Sequence, residues 1–91
     1  MAEATGSFVI CNRLGLHARA ATALVRLAER FDARVEVYKD GQGARATSVI
    51  ELLLLCATAG STLEVSANGK QAGEAVQAIG ELIAARFGEA Q

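Results

Sequence analysis

The side chain best suited to covalent chemistry in this sequence is His17, the single imidazole of a 91-residue chain. It stands in the run Gly15-Leu16-His17-Ala18-Arg19, at the point where an apolar helical pattern begins. Ser, Thr, Asp or Asn would ordinarily occupy such a boundary and accept a backbone N–H. With His there instead, the first helix amides are expected to be free, and together with the positive end of the helix dipole they would form an anion site. Arg19 can bring a guanidinium to the same anion. An imidazole with a pKa of about 6.5 is largely neutral at cellular pH and keeps a lone pair for attack on phosphorus. The constellation could thus serve as a phosphoryl acceptor at His17, with the amide near Ala18 and the Arg19 side chain holding the phosphate, and the residues alone leave this open. The plainer alternative is a ring that only caps the helix backbone.

A second constellation is Ser48-Val49-Ile50-Glu51. It fits a capping box, in which the Ser hydroxyl accepts from a helix amide and the Glu carboxylate reaches back to the cap. The residues after it, Val49, Ile50, Leu52, Leu53, Leu54 and Leu55, are more apolar than one face of a short helix can bury. With Leu52, Leu55 and Cys56 turned inward, Ile50, Leu53 and Leu54 point outward, and exposed apolar side chains beside a reactive group suggest docking. Ordinary core packing by all of them is the alternative. Cys11 and Cys56 lack metal-ligand spacing, and one His cannot complete a zinc site, so buried, reduced thiols are expected, with neither metal nor cofactor.

Hydrophobic periodicity supplies the elements that must position these groups. Ser7 to Cys11 reads as a strand ended by Asn12-Arg13-Leu14-Gly15. From Ala18 to Phe31, residues Ala21, Leu24, Val25, Ala28 and Phe31 recur at helical spacing, with Arg19, Thr22, Arg26 and Arg30 on the other, basic side. Arg34 to Lys39 alternates, Asp40-Gly41 signals a hairpin, and a short strand follows near Gly43 to Ala46. After the helix at Ser48 come a strand at Thr62 to Ala67 with Leu63, Val65 and Ala67 inward, and a helix at Gln71 to Phe87 carrying Ala75, Val76, Ile79, Leu82 and Ile83 on one stripe. The order βαββαβα predicts an α+β fold with one antiparallel sheet covered on one face by helices. A ferredoxin-like layout with an added last helix is the alternative.

Composition narrows the functions. A hydrophobic content of 52% with net charge −1 describes one domain over 1–91. Neither a signal segment nor a membrane-spanning run is found in this sequence, which predicts a cytoplasmic protein. Aromatics at 4% and a pI near 5.8 argue against nucleic-acid binding.

Asn12-Arg13-Leu14-Gly15-Leu16-His17-Ala18-Arg19, then Phe31-Asp32-Ala33, then Thr47-Ser48-Val49-Ile50-Glu51-Leu52-Leu53-Leu54-Leu55, resembles the HPr family of the phosphoenolpyruvate-dependent phosphotransferase system. The resemblance runs from about Ser7 to Phe87. It implies an open-faced β-sandwich, four antiparallel strands with three helices on one face. It also implies that His17 accepts a phosphoryl group on Nδ1 from enzyme I and donates it to a histidine of an enzyme IIA protein, with Arg19 beside the phosphate. Ser48 matches the serine that a dedicated HPr kinase/phosphorylase modifies in some members. Thr22, Arg26, Val49, Ile50 and Leu53 would form the partner interface of a monomer. Ala20 stands where many members have proline; alanine gives up the fixed φ of that residue but keeps helix propensity. The competing function is a non-catalytic interaction module of the same fold, docking through Ile50 and Leu53 and regulated at Ser48.

Overall fold

In the computed structural model, which describes residues 3–91, alternation along each strand sends one set of side chains into a shared core and leaves the other in solvent. The elements are β1 (Glu3–Val9), α1 (Ala18–Ala28), β2 (Arg34–Lys39), β3 (Gln42–Arg45), α2 (Val49–Leu54), β4 (Thr62–Asn68) and α3 (Ala72–Ala84), followed by a 3-10 turn at Arg86–Gly88. The four strands form one antiparallel sheet in the order β1-β4-β2-β3. This is the open-faced βαββαβα arrangement. The ferredoxin-like alternative, which would place β1 and β3 in the middle of the sheet, is not adopted.

The inward residues of the central strands, Val35 and Val37 of β2 with Leu63, Val65 and Ala67 of β4, are all buried. Against them lie Ala20, Ala21, Leu24 and Ala28 of α1, Leu52 of α2, and Ala72, Ala75, Val76, Ile79 and Ile83 of α3. Removing that apolar area from water is what holds the helices to the sheet. Gly80 lets α3 lie close to β1, since a Cβ there would come within 2.3 Å of the Phe8 ring. The Asp40-Gly41 turn has positive φ at both positions, 50° and 82°, as a tight hairpin between twisted strands demands.

Several boundaries differ from the periodicity. The β-branched run predicts a strand at 7–11, yet β1 pairs with β4 from Glu3↔Asn68 to Val9↔Thr62. Its inward side chains begin with Ala4 and Gly6, too small to register as an apolar alternation. The helix predicted to reach Phe31 ends at Ala28, because the Arg30 and Phe31 amides donate three residues back, to Leu27 and Ala28, and tighten the last turn. The helix predicted to reach Phe87 ends at Ala84; Arg86 and Phe87 take positive φ, which drops Phe87 into the core. Both thiols contradict the expectation of burial. Cys56 follows α2 with φ 52°, which turns it outward while Leu55 is buried, and the exposed Cys11 thiol donates to the Ile83 carbonyl at 3.3 Å. Among the described residues no helix is long and apolar enough to cross a membrane, and no cluster of three or more His, Cys, Asp or Glu could hold a metal.

Candidate functional site

The loop between β1 and α1 is pinned before it delivers His17. Gly15 has φ 68° and passes so close to the chain after α2 that a Cβ would lie 2.5 Å from the Ala57 carbonyl oxygen. The Leu16 amide donates to that same oxygen at 2.9 Å, and Leu16 itself is buried. Asn12, fully buried, donates from Nδ2 to the Gly15 carbonyl at 2.8 Å. The loop therefore closes on itself and on the chain after α2.

His17 is the N-cap of α1. Its backbone is extended, its carbonyl accepts from Ala21 N–H at 2.8 Å, and its ring Nδ1 accepts from the Arg19 amide at 3.3 Å. The expectation of entirely free first amides is corrected here: the imidazole occupies the capping role that Ser or Asp would have filled. About a quarter of the side chain remains exposed.

The other ring nitrogen meets a residue that the sequence did not single out. Nε2 hydrogen-bonds Oε2 of Glu89, while Oε1 of the same carboxylate accepts from Asn12 Nδ2 at 2.9 Å. The Asn12 hydrogen bond, and after it that of His17, holds the Glu89 carboxyl below the usual carboxylate range, with smaller pulls from the charges of His17 and Arg19; partial burial opposes them. Asn12 Nδ2 thus serves two acceptors, which fixes the orientation of its amide. Its Oδ1 is buried without a partner among the described residues, an arrangement that costs about 1–3 kcal/mol. The segment carrying Glu89 is anchored by the buried Phe87 and by two contacts of Arg13: its amide donates to the Gln91 carbonyl and its Nη1 to Gln91 Oε1, both at 3.1 Å. Arg13, Leu14, Arg19 and Glu89 line an open recess of about 250 Å³ together with Ala90 and Gln91.

Of the other predicted residues, Ala18 opens α1 and is exposed, as are Arg19 and Arg26. Thr22 turns its hydroxyl back to the Ala18 carbonyl at 2.8 Å. Ser48 is the N-cap of α2, and its Oγ accepts from the Glu51 amide at 3.1 Å. The reciprocal half of the capping box is absent. The Glu51 carboxylate instead accepts from the Arg45 amide at 2.9 Å and from its guanidinium at 2.5 and 2.9 Å, so Arg45 holds that carboxyl below its usual range. The Ser48 amide donates to the Arg45 carbonyl at 3.1 Å.

On α2, Ile50 is 71% exposed, Leu54 61% and Leu53 36%, whereas Val49 is half-buried against the core. Leu52 and Leu55 are buried. Leu14, at 65%, adds an exposed apolar side chain in the loop between β1 and α1 that helical periodicity could not reveal. The packing of α2 against α1 puts the apolar surface on the element next to the one capped by His17.

A family model described as "PTS HPr component phosphorylation site" matches residues 4–85. The chain is 46% identical to the phosphocarrier protein NPr of Shewanella violacea over 81 residues, 89% of each protein. It is 40% identical to the phosphocarrier protein HPr of Cupriavidus necator over 82 residues, 90% of this chain and 92% of that one. The crystal structure of HPr-C-His from Thermoanaerobacter tengcongensis has the same fold, with a TM-score of 0.88 at 35% identity and all of both chains covered.

Proposed function

The chain belongs to the PTS HPr family and is a phosphocarrier of that system, and on this premise we propose that it carries the phosphoryl group on Nδ1 of His17. Enzyme I supplies the group and a histidine of an enzyme IIA protein removes it, in the cytoplasm and with the carrier as a monomer. The observation that carries the reading is the contact of His17 Nδ1 with a backbone N–H: a donor-only group marks that nitrogen as the one with the lone pair. Once the pair bonds to phosphorus, the Arg19 amide is released to a phosphoryl oxygen, at the positive end of α1. The exposed Arg19 guanidinium and the amide of Ala18 complete the anion site.

Docking follows from the surface around that site. Arg26 and Thr22 provide a polar rim that steers acidic partners, and Ile50 and Leu53 with the exposed edge of Val49 provide the apolar contact. Ser48 is a candidate for regulatory phosphorylation by an HPr kinase/phosphorylase. A new charge there would lie beside the docking residues while the nearby Glu51 carboxylate is already paired with Arg45.

Incubation with phosphoenolpyruvate and purified enzyme I, followed by intact-mass measurement, tests the assignment. An acid-labile phosphoryl adduct on the wild type that is lost in a folded His17→Ala variant supports it. An adduct that persists in His17→Ala refutes it, and a wild type that takes no phosphoryl group favours the interaction module.

A further inference from the structure

Two hydrogen bonds determine where the proton sits on neutral His17, and both choose the same tautomer. The Arg19 amide can only donate, so Nδ1 must hold a lone pair. An ionised carboxylate can only accept, so the Nε2 that meets Glu89 must carry the proton. Glu89 is not a chance neighbour. One of its oxygens is engaged by buried Asn12, its amide donates to the Arg86 carbonyl at 2.9 Å, and positive φ at Arg86, Phe87 and Gly88 turns the chain back over the acceptor loop. It also lies beyond the residues 4–85 that the family model matches.

We propose that Glu89 is a positioning residue for the phosphoryl acceptor: by accepting the Nε2–H hydrogen bond it keeps the nucleophilic pair on Nδ1 and keeps the proton on Nε2 through both transfers. The proposal rests on His17 as the carrier residue. In the first transfer the bond between phosphorus and the donor's imidazole nitrogen breaks, with its electron pair returning to the donor, while Nδ1 supplies the pair for the new bond. The ring then bears a positive charge shared with Nε2–H, and the Glu89 carboxylate faces that charge on the side away from phosphorus. In the second transfer the P–Nδ1 bond breaks and its pair returns to Nδ1. Because Nε2 has kept its proton, the departing group is neutral imidazole and not imidazolate. No proton is gained or lost.

Glu89→Gln separates positioning from mere packing. Gln has one carbonyl oxygen, which Asn12 Nδ2 claims, so its amide N–H₂ faces Nε2 and calls for the opposite tautomer. Asn12 cannot relieve this by flipping without losing Gly15. The experiment records ring ¹⁵N–¹H spectra of unphosphorylated wild type, Glu89→Gln and Glu89→Ala with the ring neutral, and the rate of phosphoryl acceptance from phosphorylated enzyme I. Wild type should hold its proton on Nε2. Glu89→Gln should move at least about half of it to Nδ1 and slow acceptance on the order of tenfold, a wrong-tautomer effect. Glu89→Ala, which removes the restraint without imposing the opposite one, should fall between. Unchanged tautomer in Glu89→Gln, or a shifted tautomer with an unchanged rate, overturns the proposal while leaving His17 as carrier. A persistent adduct on His17→Ala overturns the carrier assignment and with it the positioning role of Glu89 in transfer, while the spectra still report whether the contact sets the tautomer.

Discussion

Gly15→Ala tests whether His17 depends on the loop that delivers it. An alanine at φ 68° bears the left-handed penalty of about 1–2 kcal/mol. Its Cβ would stand 2.5 Å from the Ala57 carbonyl oxygen and 3.0 Å from the Thr58 Cα, both backbone atoms that cannot swing aside. Forcing extra volume into such a site costs about 1–3 kcal/mol more. The sum, roughly 2–5 kcal/mol, corresponds at about 4–8 °C per kcal/mol to a melting temperature at least about 8 °C lower. The displacement would also pull on the Leu16 amide, which shares the Ala57 oxygen, and so shift His17 relative to Glu89. Thermal unfolding by circular dichroism gives the first quantity. Phosphoryl acceptance from enzyme I, measured cold enough for the variant to stay folded, gives the second and should be slowed. A melting temperature within about 3 °C of wild type would refute the steric reasoning. A destabilised variant with wild-type acceptance would show that the loop holds the fold together without placing the imidazole.

Leu53→Asp should slow transfer by tenfold or more, on the order of the loss of an interface anchor, while stability changes by about 0.5 kcal/mol or less; a large fall in melting temperature would make Leu53 a core residue instead. Ser48→Ala should lose about 1 kcal/mol with its cap and keep wild-type transfer, whereas Ser48→Asp should keep stability and slow transfer from enzyme I, because the charge must be desolvated or repelled in the complex. Equal transfer rates for wild type and Ser48→Asp would reduce Ser48 to a helix cap. Glu51 and Glu89 both have depressed carboxyl pKa values, so each contributes stability above its unfolded pKa of about 4.5 that is lost as the pH falls through its folded value. Urea midpoints should therefore decline on acidification below about 4.5, less steeply for Glu51→Gln; identical pH slopes would remove the Arg45 pair from the balance.

What was legible in the sequence was what repeats. The 3.6-residue spacing of Ala21, Leu24 and Ala28 and the alternation of Leu63, Val65 and Ala67 located α1 and β4 and their buried faces, because each residue in the pattern reports the same interface. The outward set on α2 followed from counting more apolar residues than one face can bury. Ends were harder. The last turn of α1 is tightened by i to i−3 bonds, and the chain then meets Gln71, whose Oε1 accepts from Asp32 N–H at 2.8 Å while its backbone N–H donates to the Asp32 carbonyl at 3.0 Å. That closure lies 39 residues away along the chain, and no local pattern encodes it. The capping box failed for a related reason. Glu51 could satisfy the cap amide or a guanidinium, and Arg45 offers charge-assisted bonds to its guanidinium together with its own backbone amide. The Ser48 amide then turned to the Arg45 carbonyl.

At the proposed acceptor, sequence could locate the imidazole but not the carboxylate that meets it. His17 was visible because it replaces a residue type that helix starts prefer, an anomaly detectable within five residues. Glu89 replaces nothing: it is one acidic residue among ten, past the end of the apolar stripe of α3. Its part in the site depends on Phe87 anchoring the turn, on positive φ at three successive residues, and on Asn12 reaching from 77 positions away. None of these is a periodicity. The difference also has a chemical side. A nucleophile must be a particular residue, whereas an acceptor for Nε2–H can be any carboxylate or carbonyl that the fold brings within reach. The position that sets the tautomer is thus defined by tertiary geometry, and it can sit in the least patterned part of the chain.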